Sequence, residues 1–128
     1  MSIIKTRAFA KDAKSEGLTN KALVEAVKEV RMGLIDAELG GNLVKKRIGV
    51  RSKGKSGGLR TILVYKASAV NIFCLYVFAK KDADNISKKE LQELKLLANT
   101  LLGMKEPEIN KALKTGALQE VMEDESND

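Results

Sequence analysis

A chain of 128 residues, 44% of them hydrophobic, suffices for one domain with a modest core and is too short for two ordinary ones. It contains no histidine and one cysteine, Cys74, which rules out Ser-His-Asp and Cys-His catalysis, histidine-based zinc sites and an intrachain disulfide. The formal net charge of +6 favours an anionic partner. No apolar run is long enough to cross a bilayer or serve as a signal peptide, so the expected setting is soluble, reducing and cytoplasmic.

In chain order, Ile3–Thr6 predicts a short strand, followed by a helix over Phe9–Ser15 that Gly17 ends. Thr19 reads as the N-cap of a second helix, with Leu18 and Leu23 as a hydrophobic staple. Leu23, Val27 and Val30 recur at helical spacing, and Gly33 stands where a C-cap belongs. Past Gly40-Gly41 the pattern turns to strand: Leu43–Ile48, then Leu59–Lys66, then Ile72–Lys80, rich in β-branched and aromatic residues. Simple alternation along the last strand puts Phe73, Leu75, Val77 and Ala79 on a face towards the helices. Ile72, Cys74, Tyr76, Phe78 and Lys80 then lie on the other. Gly49–Gly58 predicts a flexible basic loop. Ser87 and Glu90 form a capping box for a helix presenting Leu91, Leu94, Ala98 and Leu101 on one face. Pro107 suits the first turn of a last short helix stopped by Gly116, beyond which an acidic tail is expected to be mobile. This divides the chain into a domain over 1–102 and a helical extension with tail over 103–128.

Charge is distributed unevenly. Leu39 to Lys81 holds no acidic residue but carries Lys45, Lys46, Arg47, Arg51, Lys53, Lys55, Arg60, Lys66, Lys80 and Lys81. A solvated surface needs no such bias of sign, so the segment points to a polyanion. Within it, Gly49 to Ser56 spells G-x-x-x-x-G-K-S, the letters of a nucleotide phosphate loop. Such a loop must open a helix whose amides meet the phosphates, and here Gly57-Gly58 and another strand pattern follow. No nucleotide cofactor is expected.

The segment Gly40–Leu63, GGNLVKKRIGVRSKGKSGGLRTIL, resembles the RelE/HigB-type toxins of the RelE/ParE superfamily. In these a Lys-rich strand, a basic glycine-rich loop and an R-[TI]-I strand occur in this order. Phe78-Ala-Lys80-Lys81-Asp82 stands where the family shows an aromatic-x-Lys-Asn-Glu segment, with Lys81 in place of Asn and Phe78 in place of Tyr. The likeness runs from about Ile3 to Leu102. It implies an α+β, RelE-like fold: a small, mainly antiparallel sheet with two N-terminal helices and the C-terminal helices packed on one side. It also implies an mRNA endonuclease acting in the ribosomal A site and held inactive by a cognate antitoxin.

RNA cleavage can take the adjacent 2′-OH as nucleophile, so the protein needs neither a nucleophile nor a metal. It must align the phosphate, move two protons and stabilise the phosphorane charge. Arg60, always charged, suits the scissile phosphate. Lys53 and Lys55, with Lys80 at the strand end, suit proton transfer or charge neutralisation, since crowding by like charge lowers a lysine pKa. Tyr76 completes the catalytic candidates, and its ring is also a candidate to stack on an unstacked base or simply to pack. Lys45, Lys46, Arg47, Arg51 and Lys81 are candidate RNA contacts, with Phe78 as a stacking surface. Two other readings use the same sequence: a ParE-like inhibitor of DNA gyrase, and a non-catalytic nucleic-acid-binding module.

Overall fold

Residues 2–50, 54–79 and 86–122 are described in a computed structural model, without the side chains of Val50, Lys55 and Ser56. In chain order the elements are β1 (Ser2–Thr6), α1 (Arg7–Ser15), α2 (Asn20–Arg31), β2 (Ala37–Gly40), β3 (Leu43–Val50), β4 (Gly54–Val64) and β5 (Asn71–Ala79). They are followed by α3 (Lys88–Leu102), α4 (Glu106–Thr115) and β6 (Leu118–Val121). The strands form one six-stranded sheet in the order β2-β3-β4-β5-β1-β6. Only the β1–β5 pairing is parallel; the others are antiparallel.

Local chemistry sets the helix ends much as the sequence predicts. Thr19 Oγ1 accepts from the Ala22 amide at 3.1 Å to open α2. Ser87 and Glu90 form both halves of the capping box on α3. Gly116 closes α4 at φ 83°, a left-handed conformation that a Cβ would disfavour. Thr6, at the end of β1, also caps α1 by accepting from the Phe9 amide at 3.1 Å.

The helices pack on both faces of the sheet, not on one side as expected. Phe9 and Ala13 of α1 and Leu23, Val27 and Val30 of α2 cover a first face with Val44, Ile48, Leu59, Leu63, Ile72 and Cys74. Ala98 and Leu101 of α3 and Ile109 of α4 cover a second with Leu43, Ile62, Val64, Phe73 and Leu75. The signal is the unbroken run Ile62-Leu63-Val64, apolar on both faces, as in strands buried between two layers.

Strand alternation in β5 is also corrected. Ile62 pairs with Tyr76 but Leu63 pairs with Cys74, so Leu75 is an extra residue, a β-bulge. Past the bulge the faces exchange. Val77 and Ala79 join Ile72 and Cys74 on the first face, while Phe73 and Leu75 lie with Tyr76 and Phe78 on the second.

Three further differences bear on function. β3 and β4 extend to Val50 and Gly54, which pair, so Gly54–Gly58 is strand and not loop. The Gly49–Ser56 motif therefore runs from one strand into another. Leu118–Val121, read as the start of the tail, is an edge strand antiparallel to β1. Leu118 and Val121 are both buried, so β6 completes the edge of the sheet beside β1, with α4 leading into it.

Candidate functional site

On the second face, the β3–β4–β5 register aligns Arg47, Arg60 and Phe78 in one row across three strands, with Lys45, Ile62 and Tyr76 in the next. Arg60 stands in the middle of its row. Its side chain is 6% exposed, and Nη1 is buried without a hydrogen-bond partner among the described residues. A buried donor left unsatisfied costs about 1–3 kcal/mol, and more when it carries charge. The fold holds this guanidinium in a state that an anion would relieve.

Its neighbours leave that demand unmet. Arg47, directly opposite, meets Asp36: Nε is 3.1 Å from Oδ1, and the Arg47 amide donates to Oδ2 at 2.6 Å. Burial raises the Asp36 pKa, but the Arg47 amide and guanidinium and the charge of Lys46 outweigh it and hold the carboxyl below its ordinary value. On the other side, the Phe78 ring is buried and lies 5.4 Å from the Tyr76 ring, tilted by 34°. The Tyr76 hydroxyl donates to Glu90 Oε2 at 3.2 Å. Two donors from Ser87 also reach Glu90, and together with the Tyr76 hydroxyl they lower its pKa. The site thus combines a guanidinium with no carboxylate partner among the described residues and an aromatic pair, in a segment without carboxylates of its own.

Arg60, Tyr76 and Phe78 are brought together here, with Arg47 and half-buried Lys45 on the same face. Arg51, Lys53, Lys80 and Lys81 lie outside the described residues. Lys55 belongs to β4 with its side chain outside them. Lys46 requires correction. It points to the first face, 5% exposed, where Nζ lies 2.8 Å from Glu29 Oε1 and donates to the Leu34 carbonyl at 2.8 Å. It ties β3 to α2 and the turn behind it, where its charge is already met, unlike that of Arg60. The spacing Val44, Lys46, Ile48 carried that signal, since residues two apart share a face. Lys46→Ala should cost about 1–3 kcal/mol of unfolding free energy in urea denaturation; Glu29 is partly exposed, which keeps the loss below that of a wholly buried pair. Ribosome binding, measured on the folded variant, should be unchanged.

Asp36 and Glu90 were not read as site residues from sequence. Asp36 precedes a strand too short to show periodicity. Glu90 was legible as a cap, but its bond to Tyr76 exists only once α3 lies on the sheet. Cys74 is buried on the first face and its thiol is pushed up to about 12 by burial, which leaves it a packing residue and not a nucleophile.

The comparison with protein families agrees with this architecture across nearly its whole length. Residues 1–121 match the family model described as the RelE toxin of the RelE / RelB toxin-antitoxin system. The chain belongs to that family. The match runs through α4 and ends with β6, consistent with one continuous sheet. Comparison with curated proteins gives no match. As a RelE toxin, the protein is the toxin component of a toxin–antitoxin pair, and a cognate antitoxin is its partner. Among the described residues no helix is long and apolar enough to cross a membrane.

Proposed function

We propose that this RelE toxin is a ribosome-dependent mRNA endonuclease that stops translation by promoting attack of a 2′-OH on the adjacent phosphate. The observation that carries the reading is Arg60, a buried guanidinium with a donor unsatisfied among the described residues, on a face whose strands β3, β4 and β5 contain no carboxylate. In the reaction the RNA brings its own nucleophile. Arg60 meets the in-line phosphate and stabilises the negative charge that grows on its oxygens, where a preorganised donor contributes most. Lys53, Lys55 and Lys80 take and return the two protons; no metal or other cofactor is needed. Lys45, Arg47, Arg51 and Lys81 supply screened attraction to mRNA and ribosomal RNA phosphates. Such a substrate places the action in the cytoplasm.

The test is induction of the toxin alone in a bacterial host. Growth arrest, relief by the gene beside it, and new 5′ ends within translated mRNAs are expected. Healthy growth at confirmed soluble expression counts against the proposal. Trapped gyrase–DNA breaks without mRNA cuts would move the chain to the gyrase-inhibitor reading.

A further inference from the structure

Tyr76 presents a choice that the reaction proposed above leaves open: its hydroxyl can move a proton, or its ring can serve as a wall. The contacts around it decide between them. The hydroxyl has one proton, and it points at Glu90 Oε2, 3.2 Å away. The other oxygen of that carboxylate accepts from the Ser87 amide at 3.2 Å and from the Ser87 hydroxyl at 3.1 Å. Glu90, exposed at the first turn of α3, thus accepts from Ser87 and from Tyr76 together. The Tyr76 ring rests against Phe78, the cross-strand partner of Arg60. A chain of contacts runs from the α3 N-terminus through Glu90 to two aromatic rings, the second on the residue paired with Arg60 across the strands.

From this geometry we infer that Glu90 is a positioning residue of the site: it withholds the Tyr76 hydroxyl from proton transfer and sets the Tyr76 ring as a surface on which a nucleobase stacks. The inference rests on the nuclease reading for its substrate but not for the contact itself. A base stacked on a held ring gains binding, since the ring is ordered before the RNA arrives. A capping residue alone would affect helix stability and leave substrate affinity unchanged.

Two measurements separate these roles. The chain has two tyrosines and no tryptophan, so in a Tyr65→Phe background all tyrosine emission comes from Tyr76. A carboxylate that accepts a proton from the excited phenol quenches it. Glu90→Gln, which keeps the size and a cap acceptor but loses the charge, should brighten Tyr76. Ser87→Ala, which removes one of the two Ser87 donors but keeps the carboxylate and its charge, should brighten it less. Unchanged emission in Glu90→Gln, or equal brightening by Ser87→Ala, overturns the proposal. In steady-state cleavage of ribosome-bound mRNA, Tyr76→Phe and Glu90→Gln should each raise KM by about tenfold while kcat falls less than about threefold, a loss of ring positioning and not of chemistry. A kcat loss of about a hundredfold in Tyr76→Phe at saturating ribosomes would put the hydroxyl in the chemistry and sink the inference. Brightening in Glu90→Gln with no cleavage by the wild-type protein leaves the clamp standing and removes only the nuclease reading.

Discussion

Arg60→Lys is expected to slow single-turnover mRNA cleavage at saturating ribosomes by about 10²- to 10³-fold, the loss that follows removal of one preorganised charge-stabilising donor. Lysine keeps the charge, so the expectation rests on geometry. Arg60 lies on β4 between two paired strands, its Cα opposite Arg47 on one side and Phe78 on the other. A planar guanidinium held there can offer two parallel hydrogen bonds to a phosphate, and an ammonium on a flexible stem cannot reproduce them. Ribosome affinity should change little, because one phosphate contact is a small part of the total electrostatic attraction. Arg51→Ala should show the reverse: weaker binding, recovered at low salt, with an unchanged rate once ribosomes saturate. Arg60→Met supplies an independent check on the free protein. It removes a buried charge whose Nη1 lacks a partner among the described residues, so it should leave stability in urea unchanged or raise it by about 1–2 kcal/mol while abolishing cleavage. Wild-type cleavage by Arg60→Lys at saturation would make Arg60 a docking residue.

How much of this was legible in the sequence depended on how local the cause was. The Ser87–Glu90 box, the Thr19 cap and the Gly116 stop involve residues a few positions apart, and each is found as read. The main strands were legible because β-branched and aromatic residues cluster in them. β2 and β6 were not: each is four residues long, and strands so short carry no usable period. Glu120 made β6 look like part of an acidic tail, although Leu118 and Val121 flank it and are buried. The charge bias located the right segment but counted Lys46 with its neighbours. Sign says which partner a segment prefers, and alternation says which side chains can reach it; Lys46 shows that the second must be applied before the first. The bulge at Leu75 is a further limit. Nothing in IFCLYVFAK announces an extra residue, and it is the register with β4 that reveals it. The burial of Arg60, on which the proposed chemistry depends, arises in a strand paired on both sides, and its partners Arg47 and Phe78 do not adjoin it in sequence.

The bulge also decides what Phe78 does. By sequence its ring can stack on RNA or pack in the core; in the fold Phe78 is 6% exposed and lies in the second core, across the strands from Arg60 and against Tyr76. Phe78→Ala should therefore cost about 3–5 kcal/mol of stability, as for other buried phenylalanines, and the cavity would open on the strand paired with Arg60. Loss of cleavage in that variant says little, because the core behind the site is damaged. Phe78→Leu separates the roles. It restores most of the buried apolar volume, at a cost of about 1–2 kcal/mol, but has no π face to offer a base. If the ring is a packing element, Phe78→Leu should cleave within about threefold of wild type at saturating ribosomes, with KM changed by no more than the same factor. If it stacks directly on RNA, KM should rise by roughly 10-fold or more, in line with the loss of one stacked base. The measurements are urea denaturation of both variants and steady-state cleavage by Phe78→Leu. A Phe78→Ala protein as stable as wild type would show that the ring is not in the core, and would return Phe78 to the RNA-facing surface together with Tyr76.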